Sequence, residues 1–246
     1  MKKERCLLVV FIALFCFVFF SVVSAEINIG TPAWQKVKDL GKQNSYVFLL
    51  FSDAKAGEDT KILATIEEVK QELTKKKTDI VKVVFNDPKE KNLLTFFRIT
   101  ETPTVLVVAP NGAITGYFVK NIDKQTLAES LISLNETKII KNLQEGRVVF
   151  LCFYEDKTAN FTTIKTSLES VADNFKGVVN VIYVSSNDKE KKLREKFKIS
   201  SETATAFIIV PPGRTVAKLE GDAITKTNLM QSLMSSCGSG CGSGCK

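Results

Sequence analysis

Short apolar runs alternate with stretches of three- and four-residue hydrophobic spacing along this chain, and the whole alternation occurs twice. Tyr46–Phe51 and Ile80–Phe85 are runs rich in Val and Phe, the pattern of strands buried on both faces. Between them Ile62, Ile66, Val69 and Leu73 recur on one helical face, predicting a helix over 58–76. Asn86-Asp87-Pro88 opens a second helical stretch with Leu93, Leu94 and Phe97 apolar. Thr104–Val108 and Ala113–Val119 flank Pro110-Asn111-Gly112, a turn sequence that predicts a hairpin. A closing helix is expected over 123–134. The second pass predicts strands at Val148–Phe153, Val178–Val184, Thr205–Val210 and Thr215–Leu219.

Phe51 and Phe153, Phe97 and Phe197, and Pro110 and Pro211 are each separated by about 100 positions, the size of one small domain. Helix, strand, helix, strand, helix, strand, strand, helix is the order in both copies. Strands separated by helices are expected to run parallel, with the hairpin supplying one antiparallel edge. The segment 135–145, between the copies, looks helical. An α/β class follows: two tandem domains, each a central mixed sheet flanked by helices.

Residues 1–25 stand apart. Lys2, Lys3 and Arg5 precede an apolar run from Leu7 to Val23, and Val23-Ser24-Ala25 ends it with small residues. That is the form of a cleaved export signal; the competing reading is an uncleaved membrane anchor, the only membrane association expected. The divisions are therefore 1–25 signal peptide, 26–137 first domain, 138–235 second domain and 236–246 tail. The expected location is secreted or periplasmic, in a bacterial envelope.

Removing 1–25 lowers Lys plus Arg from 34 to 31 and Asp plus Glu from 27 to 26. Neither copy is basic enough for a nucleic-acid partner. Histidine is absent from the sequence, which excludes a Ser-His-Asp triad, a Cys-His pair and any His-ligated metal. Of the six cysteines, Cys6 and Cys16 lie in the signal and Cys152 in an apolar run; Cys152 reads as a small hydrophobe.

Thr102-Pro103-Thr104, followed by an apolar strand and Asn111-Gly112, resembles the thioredoxin stretch in which a cis-proline precedes a core strand. The resemblance covers 31–134 and, more weakly, 138–235. It implies a thioredoxin-like superfamily member carrying the fold twice, and it also marks what is missing. Where active members carry C-x-x-C after the strand-end phenylalanine, this chain has Ala56-Gly57-Glu58-Asp59 and Thr158-Ala159-Asn160-Phe161. Ala56, Asp59, Thr158 and Phe161 cannot act as thiolates. The buried acid of the family is replaced by Leu50 and Cys152. The pair thus resembles the non-catalytic domains of protein disulfide isomerases, which implies a polypeptide partner met at Thr102 and Pro103. In the second copy Thr203-Ala204 takes those positions, so a trans bond and a remodelled loop are expected there.

Cys237, Cys241 and Cys245, spaced by Gly-Ser-Gly, end the chain. Three soft ligands on a flexible segment could take Cu(I) or Zn(II), form disulfides, or relay thiols. Asn135 and Asn160 open N-x-[ST] sequons, which matter only in a eukaryotic source.

Overall fold

A computed structural model describes residues 29–53, 56–120, 122–155, 158, 160–186, 190–199 and 203–238. The expected export signal lies outside these residues, as do Cys241 and Cys245. No helix among the described residues is long and apolar enough to cross a membrane. Contacts divide the described chain into two compact units between Thr137 and Lys138.

The first unit runs α1 (Pro32–Lys42), β1 (Tyr46–Ser52), α2 (Ala56–Glu72), β2 (Thr78–Val84), α3 (Lys91–Phe96), β3 (Thr104–Val108), β4 (Ile114–Val119) and α4 (Lys124–Ser130). Its sheet order is β2-β1-β3-β4. β1 pairs β2 in parallel and β3 antiparallel, and β3 pairs β4 antiparallel. The expectation that helix-linked strands run parallel therefore holds for β1 and β2 but fails for β3. Length explains the difference. A seven-residue strand spans about 23 Å, and the 17-residue α2, about 25 Å long, carries the chain back over it. The six-residue α3 covers only about 9 Å, so the chain enters β3 near the end where it left β2.

Every residue of β1 is buried, which requires cover on both faces. Val47, Leu49 and Phe51 pack against Ala33, Trp34 and Val37 of α1 and Leu93 of α3. Phe48 and Leu50 point the other way by strand alternation. They are fully buried, as are Ile66 and Val69 of α2 and Leu127 of α4. Gly41 lets α1 approach the β3–β4 turn, since a Cβ there would lie 2.7 Å from the Pro110 carbonyl oxygen.

The second unit repeats the plan after α5 (Leu134–Gln144): β5 (Val148–Tyr154), α6 (Phe161–Asn174), β6 (Val179–Ser185), α7 (Lys191–Lys196), β7 (Thr205–Val210), β8 (Arg214–Glu220) and α8 (Lys226–Gly238). Its sheet order is β6-β5-β7-β8, with the same parallel and antiparallel pairs. Repetition reaches single residues. Glu90 and Glu190 sit at the starts of α3 and α7, both buried, and Arg98 and Lys198 adopt left-handed φ of 52° and 53° just past them.

The helix expected over 58–76 ends at Glu72, because Lys76 turns aside. Its Nζ donates to the carbonyl of Ile132 at 2.7 Å and to that of Leu131, and lies 5.4 Å from the Tyr46 ring centroid. The closing helix stops at Ser130 rather than 134. Ser133 then starts α5 through reciprocal bonds, its hydroxyl accepting from the Glu136 N–H and its own N–H donating to the Glu136 carboxylate, a capping box. At the other end of the unit the Glu90 carboxylate accepts the Ala33 N–H at 2.9 Å and thereby caps α1.

The Tyr46 hydroxyl also donates to the Ile132 carbonyl, at 2.6 Å. Tyr46→Phe alone should cost about 0.5–1 kcal/mol, because the Ile132 carbonyl keeps the Lys76 donor, and Lys76→Met should cost more, about 1–3 kcal/mol, because the Leu131 carbonyl loses its donor as well. Together they should cost more than the sum, since the acceptor is then orphaned. Urea denaturation of the two single variants and the double variant measures this.

Candidate functional site

β1 is a central strand, and three residues separate its end from α2. Ala56 is the first residue of α2 and Asp59 the fourth, so both lie in the first turn of a long helix, where backbone N–H groups and the helix dipole favour negative charge. The pairing of Phe51 with Thr104 brings the start of β3 alongside the end of β1. Thr102 and Pro103, joined by a cis peptide bond, therefore lie near the end of β1. The four first-copy site residues share one end of the sheet.

Around Pro103 most backbone groups are spent. Its carbonyl accepts the Lys120 N–H at 2.9 Å, and the Thr104 hydroxyl donates to the Glu101 carbonyl at 2.7 Å. Lys120 also pairs with the Glu101 carboxylate at 2.5 Å, with both side chains exposed. Pro103 is buried and Thr102 half-buried. Among the described residues the Thr102 N–H and C=O make no hydrogen bond.

The second copy keeps the strand frame and differs in its loops. Its register is equivalent, with Phe153 opposite Thr205, and the Ala204 carbonyl accepts the Gly221 N–H at 2.8 Å. The bond before Ala204 is not cis, and the Thr203 carbonyl is taken by the Thr205 hydroxyl at 3.3 Å. Six residues, rather than three, separate β5 from α6. Alignment on the strand-end phenylalanine puts Thr158 where a helix should start, but the structure places it in the loop. There its hydroxyl accepts the Glu155 N–H at 3.0 Å and its N–H donates to the Glu155 carbonyl. Only Phe161, the first residue of α6, reaches the helix.

Phe161 closes this end of the sheet. Its ring stacks on Tyr154 with centroids 4.1 Å apart and meets Tyr183 edge-on at 5.9 Å. Arg194 of α7 donates to the Glu155 carboxylate at 2.8 Å, with its guanidinium 6.0 Å from the Phe153 ring centroid. Sequence reading missed Thr158 as a turn builder and Arg194 as its neighbour's clamp. The sole signal was the extra loop length.

Leu50 and Cys152 are fully buried. Cys152 packs among Ile164, Leu168 and Val171 of α6, and burial pushes its thiol up to about 12. It cannot supply a thiolate at neutral pH. Cys237 lies in the last turn of α8; Cys241 and Cys245 are outside the described residues, so the tail trio has no geometry here.

Two outcomes follow from these placements, both in chains whose tail cysteines are changed to Ser. Ala56→Cys/Asp59→Cys puts two thiols in a helical first turn. Glutathione disulfide should oxidise that pair to an internal disulfide, itself yielding two glutathione thiols, about tenfold faster than it oxidises Thr158→Cys/Phe161→Cys. Mass spectrometry after acid trapping reads the rates. In the parent chain Cys152 should stay unlabelled by iodoacetamide at pH 8 and label fully in denaturant. Because its folded pKa is raised, its stabilising contribution is complete below the ordinary thiol range and is lost as pH climbs through about 12.

Solved structures similar to the chain include human ERp44 in a zinc-bound form, 13% identical with a TM-score of 0.35, covering 81% of this chain and 55% of that one. The first two thioredoxin domains of Naumovozyma dairenensis Eps1p are 11% identical at a TM-score of 0.31, covering 80% and 93%. The germline-specific thioredoxin Deadhead of Drosophila melanogaster is 19% identical at 0.35, covering 42% and 93%. No family model matches the chain, and neither does any curated protein. The strands themselves carry the assignment. With a β2-β1-β3-β4 order repeated as β6-β5-β7-β8, and a helix following each central strand after three or six residues, the chain carries two tandem α/β domains of thioredoxin-like fold.

Proposed function

We propose that this is an exported protein that binds or scaffolds polypeptides through its first domain, without thiol chemistry at either sheet end. The observation that carries the reading is the uncommitted Thr102 backbone beside the start of α2. A free N–H and C=O at the end of a buried sheet offer an extended peptide the pairing that an edge strand would give it. Ala56 at the head of α2 leaves that contact noncovalent. The second domain is the poorer candidate, because its Thr203 carbonyl is engaged and Phe161 stacks across the neighbouring ground. The basic, apolar and small-residue order of 1–25 supports an extracytoplasmic setting.

The test is an amide-shift titration of labelled 26–246 with an unlabelled Val/Thr/Ser peptide of about ten residues, a length that fills an extended docking groove. Shifts should centre on Thr102, Glu101 and the first turn of α2. Thr102→Pro removes the N–H and should weaken binding about tenfold while leaving the circular dichroism spectrum unchanged. Shifts centred on the second domain, or none at saturating peptide, would sink the proposal.

A further inference from the structure

Two sequons remain outside the peptide-binding reading, and the fold treats them oppositely. Asn135 lies in the first turn of α5 and has an interaction partner. Its companion Thr137 is 1% exposed, with its hydroxyl donating to the Leu134 carbonyl at 2.8 Å. Neither end of that tripeptide can be presented without unwinding the helix and opening the capping box at Ser133.

Asn160-Phe161-Thr162 is open. Asn160 is exposed and sits at φ 63°, ψ 12° in the turn before α6. Its side chain makes no capping bond to the helix it precedes. Thr162 is exposed as well, and its own hydroxyl makes no hydrogen bond among the described residues. Asn tolerates the left-handed conformation at little cost, so the turn holds the amide out in solvent with its nitrogen unspent.

We propose that Asn160 is an N-glycosylation site and that Asn135 is not. The donor is an oligosaccharide linked through a pyrophosphate to a lipid, so the proposal sets the chain in a eukaryotic secretory pathway in place of the bacterial envelope expected from residues 1–25. The Asn160 amide nitrogen bonds to the anomeric carbon of the first sugar and loses one proton; the anomeric C–O bond breaks, and the lipid pyrophosphate leaves with its electron pair. The attached glycan is bulky and solubilising. It is attached next to the first turn of α6 and the half-buried Tyr154–Phe161–Tyr183 rings, screening an apolar patch from other chains and denying the second domain's sheet end to an extended peptide. The inference does not depend on peptide binding by the first domain.

Translation of the full chain with rough microsomes tests it, with protease protection reporting entry. A second arm replaces residues 1–25 by a proven cleavable secretory signal, so that entry is assured. The protected chain should gain the mass of one glycan, removable by endoglycosidase H. Asn160→Gln should abolish the gain and Asn135→Gln should leave it intact. A protected chain of unmodified mass, or a gain that survives Asn160→Gln or disappears with Asn135→Gln, would overturn the assignment.

Discussion

Burial of one strand on both faces is the constraint from which each domain is built. Val47 through Phe51 and Val149 through Phe153 are at most 1% exposed, and each such large apolar side chain contributes roughly 1.5–3 kcal/mol by leaving water. A strand of that kind cannot sit at a sheet edge. It must have partners on both sides and helices above and below. That requirement places the end of β1, and so the start of α2, at the middle of the sheet end, where β3 also begins. That Ala56, Asp59, Thr102 and Pro103 lie at one end of the sheet is a result of that geometry.

Strand positions were legible because the central runs are continuous and the hairpin carries its own turn sequence. The expected Thr104–Val108 and Thr205–Val210 are the observed bounds. The direction of β3 was not, since a rule about helix-linked strands takes no account of helix length, and six residues cannot reverse a full strand. Helix ends were misplaced where long-range contacts decided them. Lys76 leaves its helix for carbonyls 55 and 56 positions away. The break before α5, by contrast, was written locally as Ser133-Leu134-Asn135-Glu136, a capping box that could have been read.

At the sheet ends, sequence gave identity without position. Aligning on Phe51 and Phe153 named the residues standing where thiols would be, and for Ala56 and Asp59 the structure supplies the helical turn. For Thr158 it does not, because three additional loop residues move the helix start to Phe161. An offset fixed by strand pairing says nothing about the loop that follows. The two copies thus share a frame and differ in what the frame presents: spare backbone in one, stacked rings and a bonded turn in the other.

The Glu90 carboxylate ties the first helix of the domain to a residue 57 positions later. Glu90 also begins α3, so the beginning of the domain and the mid-chain crossover share one buried bond. Neither can detach without exposing an N–H and a carboxylate to desolvated surroundings. In native-state hydrogen exchange, α1 and α3 should consequently behave as a single cooperative unit, opening together despite their distance along the chain.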